Sequence, residues 1–188
     1  MKLADNTSGA FSLSRVTDVK WSIGLLDSLV LDSGLKTSLR HIVQYRTKTT
    51  FDDFVSGKGR GFVGLLSGPP GLGKTFTAEA IAESGQRPLY VVSTGVLGAT
   101  ASAISKELSQ ILDLCAHWNA VLLLDEAEVF LAKRSLNDLE RNAVVAVFLR
   151  ELEYYQGIMF LTTNMPHSID EAFSSESMRA VYIHEHTV

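Results

Sequence analysis

The residues that most constrain this chain are Gly68-Pro69-Pro70-Gly71-Leu72-Gly73-Lys74-Thr75, a G-x-x-x-x-G-K-[ST] run. Before it stands Phe62-Val63-Gly64-Leu65-Leu66, a continuous apolar stretch of the kind buried on both faces of a parallel sheet. After it, Lys74 to Ser84 reads as a helix stopped by Gly85, at the position where a left-handed cap is common. Strand, glycine-rich turn and helix in that order describe a loop that holds phosphate. Glycines let backbone N–H groups approach oxygen anions with no Cβ in the way. Lys74 is placed to reach β- and γ-phosphates, and Thr75 to offer its hydroxyl to Mg2+. The helix beginning at Lys74 aims its positive dipole end at the same point. At average residue usage such a pattern arises by accident in about one chain in a hundred or fewer.

The rest of the sequence alternates strands and helices around this loop. Ser28-Leu29-Val30-Leu31 is a short strand candidate, and Asp32 or Ser33 then caps a helix running to about Tyr45. Residues 46–60 read as a polar connection. Leu89-Tyr90-Val91-Val92 is the next strand, followed by a helix from Ser102 to Trp118 with Ile104, Leu108, Ile111, Leu112 and Cys115 on one stripe. Val121-Leu122-Leu123-Leu124 is another buried strand. Asn137 and Glu140 resemble a capping box for a helix to about Tyr155, ended by Gly157. Ile158 to Thr163 and Ala180 to Ile183 complete the strands. This order predicts a parallel sheet with helices on both faces. The expected division is a loosely ordered arm over 1–26 and a core over 27–188.

A second site follows from Val121-Leu122-Leu123-Leu124-Asp125-Glu126. Asp125 ends a parallel strand, where such sheets bind ligands, and its carboxylate suits a hydrated Mg2+. Glu126 is placed to polarise a water for in-line attack on a γ-phosphate. Two carboxylates after a strand also fit the polar mouth of a loop; a phosphate loop 50 residues upstream decides between the two. The adjacent Glu argues against a small-molecule kinase, which excludes water. No Asn-Lys-x-Asp guanine motif is present. Thr162-Thr163-Asn164 ends the fourth strand, where the Asn164 amide can orient the water. Glu128 fits the same cluster, but two residues beyond Glu126 it reads rather as a solvated side chain.

Composition removes other classes. The 17 Lys+Arg and 21 Asp+Glu residues give a formal charge of −4, and the pI is near 5.7. Nothing there favours nucleic acid. The single Cys115 forms no internal disulfide and, on its apolar stripe, reads as core. The N-terminus has no signal-peptide h-region, and Ala120 to Leu124 is far short of a membrane span, so an intracellular soluble domain is expected. His184 and His186 are too few for a metal site. Trp21 and Trp118 read as packing residues.

Gly68–Thr75, Leu122–Glu126 and Thr162–Asn164, in that order, resemble the AAA ATPases, a P-loop NTPase family. Residues 53–61, 87–90 and 134–142 look most like a large fungal subgroup of them. The resemblance covers about Ser28 to Phe173. It implies an α/β fold, a three-layer αβα core with a mostly parallel sheet, binding ATP and Mg2+. It implies nucleotide contacts from Gly68, Pro69, Pro70, Gly71, Leu72, Gly73, Lys74, Thr75 and Phe76, and metal contacts from Thr75 and Asp125. Catalytic roles fall to Lys74, to Glu126 as base and to Asn164 as first sensor. It also implies a homo-oligomeric ring, usually of six subunits, that remodels another macromolecule.

Three departures from the family pattern bear on activity. Asp170-Glu171-Ala172-Phe173 is followed by Ser174-Ser175-Glu176-Ser177-Met178-Arg179 in place of a close Ser-Arg pair. Arg179 is then either the arginine finger or a solvated surface residue. Arg134 and Arg141 are weaker candidates. Gly95-Val96-Leu97-Gly98 lies at the family's pore-loop position without its usual aromatic, and reads as a plain connection. The helical lid would follow Val188, so no lid is expected from these residues. Two functions therefore compete: an Mg2+-dependent ATPase, and an ATP-binding interaction protein with little turnover. A helicase-type motor would need a second domain.

Overall fold

The computed structural model describes residues 2–3, 17–45, 61–131, 138–165 and 178–182. Among them, six strands form one sheet: β1 (Lys2–Leu3), β2 (Phe62–Ser67), β3 (Leu89–Ser93), β4 (Val121–Asp125), β5 (Ile158–Thr163) and β6 (Met178–Tyr182). Their spatial order is β1-β3-β4-β5-β2-β6, and every neighbouring pair is parallel. The helices are α1 (Ser33–Tyr45), α2 (Lys74–Ser84), α3 (Ala101–His117), the single turn α4 (Glu128–Leu131) and α5 (Leu139–Tyr154).

Side-chain alternation along the strands explains the unbroken apolar runs. In β4, Val121 and Leu123 join the core under α1 and α2, while Leu122 and Leu124 join the core under α3, α4 and α5. Both faces are covered, so every position is apolar. This is the three-layer α/β arrangement expected from the sequence. On the first face α2 is itself buried, by the sheet below and by α1 and the 3-10 turn Ile23–Leu26 above. Its small residues Ala78, Ala80 and Ala82 permit that double contact. On the other face Phe130 stacks on Phe148, with ring centroids 4.6 Å apart.

Several local expectations need correction. Ser28–Leu31 forms no strand: it is a turn leading out of the 3-10 segment, with the Ser28 hydroxyl donating to Leu25 O at 2.7 Å. The sheet edge beside β3 is taken by Lys2–Leu3. Asp32 caps α1, its Oδ1 accepting from the N–H groups of Gly34 and Leu35 at 2.9 and 3.1 Å. Gly85 ends α2 in right-handed geometry, and Gln86 is the left-handed residue, with φ 53°. Gly85 is instead required by space, because a Cβ there would overlap Val43 of α1. The cap of α5 is Asp138, accepting from Arg141 N–H at 3.0 Å; Asn137 lies outside the described residues. β6 begins two residues earlier than expected, and Ile183 also lies outside them. Trp118 is 47% exposed and not a packing residue. Within the segment expected as an arm, Leu26 is fully buried.

Candidate active site

Because β2, β4 and β5 are parallel neighbours, their C-terminal ends open onto one edge of the sheet. The loop after β2 turns there into α2. Gly71 and Gly73 have φ of 86° and 77°, conformations that an L side chain enters at a cost. A Cβ on Gly71 would meet nothing within 4 Å, so the loop is open on that side. Gly73 is the N-cap of α2 and supplies no side chain to its first turn. The leading N–H groups of α2 therefore keep their capacity for an anion. Pro69 and Pro70 are exposed, Leu72 packs on the α2-side core, and Phe76 is 42% exposed on the first turn.

Lys74 is 8% exposed. Its ammonium donates to Gly68 O at 2.8 Å, Pro69 O at 2.8 Å and Asn164 Oδ1 at 2.7 Å, which uses all three N–H bonds. Burial pulls its pKa below the usual lysine range, while the carboxylates of Asp125 and Glu128 oppose that shift. Thr75 Oγ1 stands 3.3 and 3.5 Å from the two oxygens of Asp125. The structure thus brings together Lys74, Thr75, Asp125 and Asn164, four residues from three separate segments.

Glu126 is exposed and has φ 57°, in the left-handed region. Its N–H donates to Thr162 Oγ1 at 2.9 Å, and its carbonyl accepts from Thr94 Oγ1 at 3.1 Å. Ala127 N–H donates to Thr162 O at 2.9 Å. A non-glycine residue in this conformation costs roughly 1–3 kcal/mol, and these bonds hold it there. One contributor escapes the sequence reading, and a second belongs to the cluster where the sequence favours solvent. Thr162 also donates its hydroxyl proton to Asp125 Oδ1. Glu128, expected as a solvated side chain, accepts from Asn164 N–H at 2.7 Å through Oε1. The acidic run from Asp125 to Glu128 was the available signal for Glu128, whereas Thr162 gave none beyond a Thr-Thr pair at a strand end.

These donors fit an Mg-nucleotide. A hydroxyl and a carboxylate 3.3 Å apart offer hard oxygen ligands, suited to Mg2+ with its retained waters. Among the described residues no group of three or more His, Cys, Asp or Glu could hold a metal by itself. No described helix is long and apolar enough to cross a membrane.

The remaining candidates stand apart from the site. Cys115 is buried, and burial pushes its thiol up to about 12, as expected of a core residue. Thr94–Leu97 is a 3-10 turn with Leu97 buried and Val96 71% exposed. Arg179 has its backbone in β6, opposite Gly64 of β2. That is four strand residues short of Gly68, roughly 13 Å from the chain's own phosphate loop. Arg134, His184 and His186 lie outside the described residues.

The family model described as "ATPase family associated with various cellular activities (AAA)" matches residues 64–185. The chain belongs to the AAA ATPase family. It is 28% identical over 191 residues to fidgetin-like protein 1 of Drosophila melanogaster, covering 97% of this chain and 35% of that protein. It is 30% identical over 192 residues to vacuolar protein sorting-associated protein 4B of Mus musculus, covering 97% of this chain and 41% of that protein. A bacterial relative, CD-NTase-associated protein 6 of Pseudomonas aeruginosa, is 30% identical over 176 residues, 80% of this chain and 57% of its own. This AAA chain therefore spans between about a third and three fifths of the length of these relatives. Family membership supports ATP binding and hydrolysis in general terms.

Proposed function

We propose that this chain binds Mg-ATP at the loop Gly68–Thr75 and hydrolyses it. The observation carrying this reading is the convergence of Lys74, Thr75, Asp125 and Asn164 within hydrogen-bond reach at one sheet edge, next to the pinned Glu126. The loop amides and the start of α2 bind the phosphates, and Lys74 exchanges its carbonyl partners for phosphate oxygens. Thr75 and Asp125 hold Mg2+, which when bound supplies neutralising charge for the phosphates. Glu126 takes the proton of an attacking water as its oxygen bonds to the γ-phosphorus and the bridging oxygen leaves with ADP. The Asn164 amide orients that water. Phe76, exposed on the first turn of α2, flanks the nucleotide.

The wider role rests on the family. Copies of the chain assemble into a ring, with Arg179 reaching a neighbouring copy's nucleotide, and turnover acts on a macromolecular partner. The strand position of Arg179, remote from its own loop, suits a role in trans better than one in cis.

The test pairs binding with turnover. Glu126→Gln should keep Mg-ATP binding and lose at least about tenfold in steady-state hydrolysis, about 1.4 kcal/mol of barrier. If the unmutated chain binds ATP but hydrolyses it no faster than Glu126→Gln, the chain is an ATP-binding interaction protein instead. A Lys74→Ala chain that binds Mg-ATP normally would sink both readings. Sizing with and without ATP reports on the ring.

A further inference from the structure

Thr162 is 2% exposed, at the end of β5, one strand away from the phosphate loop and one from Asp125. Its hydroxyl has a single proton. Because Oγ1 accepts the N–H of Glu126 at 2.9 Å, an amide that can only donate, the hydroxyl proton is free to go elsewhere. It goes to Oδ1 of Asp125. One oxygen atom thus holds the backbone of the residue proposed as base and the carboxylate proposed as metal ligand. The main chain of Thr162 adds a third tie, its carbonyl accepting Ala127 N–H at 2.9 Å.

The two ties of the hydroxyl act on different freedoms. The bond to Oδ1 fixes rotation of the Asp125 carboxylate, which leaves Oδ2, 3.5 Å from Thr75 Oγ1, as the oxygen less committed within the protein. The bond from Glu126 N–H helps hold a residue with φ 57° that would otherwise relax toward a right-handed or extended conformation. Without the hydroxyl, the carboxylate is free to rotate and the base loses one of its anchors.

We infer that Thr162 is a positioning residue that sets the metal-site carboxylate and the catalytic base together, through its hydroxyl. This rests on the proposed Mg-ATP hydrolysis at the same site. Outer partners of this kind, when removed, commonly cost about 10- to 100-fold in metal affinity or activity.

The experiment uses the full chain with Thr162→Val, which keeps the branched shape and removes the hydroxyl, and Thr162→Ser, which keeps the hydroxyl and removes the methyl. Thr162→Ala replaces the Val variant should that one fail to fold. Mn2+ is titrated into chain plus ATP and read by electron paramagnetic resonance, alongside turnover as a function of Mg2+. Thr162→Val should weaken Mn2+ binding and lower turnover by about tenfold each, with Thr162→Ser within about threefold of the parent. ATP affinity in chelator, which reads the loop alone, should stay within about twofold in all of them. A Thr162→Val chain with parental Mn2+ affinity overturns the inference. So does a Thr162→Ser chain as impaired as Thr162→Val, because the methyl and not the hydroxyl would then matter. If the parent chain turns over no ATP, the proposed hydrolysis falls, and the Mn2+ titration still decides the part played by Thr162.

Discussion

Gly64 and Gly71 stand seven residues apart, and the structure gives them opposite reasons for being glycine. Gly64 lies buried in the middle of β2. A Cβ there would fall 2.7 and 2.8 Å from two ring carbons of Phe160 and 2.9 Å from one of Phe62. Carbon contacts prefer about 3.5–4.0 Å, so both rings must move. They have little room, since Phe160 is 0% and Phe62 5% exposed, and they already pack edge to face at 5.6 Å. Overpacking of this kind costs about 1–3 kcal/mol, offset by about 0.4–1 kcal/mol from the lower entropy of the unfolded Ala chain. The net expectation for Gly64→Ala is a loss of about 1.3 kcal/mol, a Tm drop of about 3–5 °C for a domain of this size. Gly71→Ala meets no atoms and carries only the left-handed conformational cost, about 1 kcal/mol, for a Tm drop of about 2–4 °C. Its effect should appear in the loop, as an ATP affinity lowered by about tenfold or more through misdirected amides. Thermal unfolding by circular dichroism and a nucleotide titration on both variants separate the cases. A Gly64→Ala chain melting within about 2 °C of the parent refutes the packing argument. A Gly71→Ala chain that melts lower than Gly64→Ala refutes the contrast.

Three further outcomes follow, one from a hydrogen bond of Glu128 and two from the burial of Cys115. Glu128→Ala leaves Asn164 N–H without its acceptor and should lower turnover by roughly tenfold, while Glu128→Gln, which keeps a carbonyl acceptor, should recover most of it. Equal losses in a turnover assay would assign the effect to charge near Lys74 instead. For Cys115 the folded pKa of about 12 lies above the ordinary value of 9.0, so burial of the neutral thiol contributes stability fully below pH 9.0. That contribution should fade from there to about pH 12, and chemical denaturation of Cys115→Ala against the parent across that range should show the gap narrowing. Native Cys115 should resist alkylation at neutral pH, with reaction appearing only on unfolding.

The phosphate loop, the four interior strands and the helices α2, α3 and α5 are legible in the sequence because their signals are local, whereas the single turn α4 is not. A continuous apolar run flanked by helices reads as a strand buried on both faces, and β2, β4 and β5 answer to that pattern, β2 alone leading into the glycine-rich turn. Helix ends were read to within a residue or two. The caps differ from the sequence expectation. Asp138 in place of Asn137, and Gln86 in place of Gly85, turn on the last dihedral before the chain leaves the helix, and tertiary packing sets that angle. Ser28–Leu31 has strand composition but no strand, since a strand exists only where the chain is laid beside a partner strand, and here these residues lead from the 3-10 turn into α1.

By itself the sequence determined which groups are proposed to do the chemistry: Lys74 and Thr75 in the loop, Asp125 and Glu126 after a buried strand, Asn164 at the end of another. Their residue types and spacing are constrained by phosphate and metal chemistry, and that constraint is written locally. What only the tertiary structure decided is how those groups are held. Asn164 lies 90 residues from Lys74 along the chain, yet its Oδ1 accepts a hydrogen bond from the Lys74 ammonium at 2.7 Å, because the sheet inserts β5 beside β2. The same insertion sets Thr162 against Asp125 and Glu126, and brings Asn164 to Glu128. Hydrogen bonds between distant segments depend on strand order and register, and no local pattern of residues encodes either.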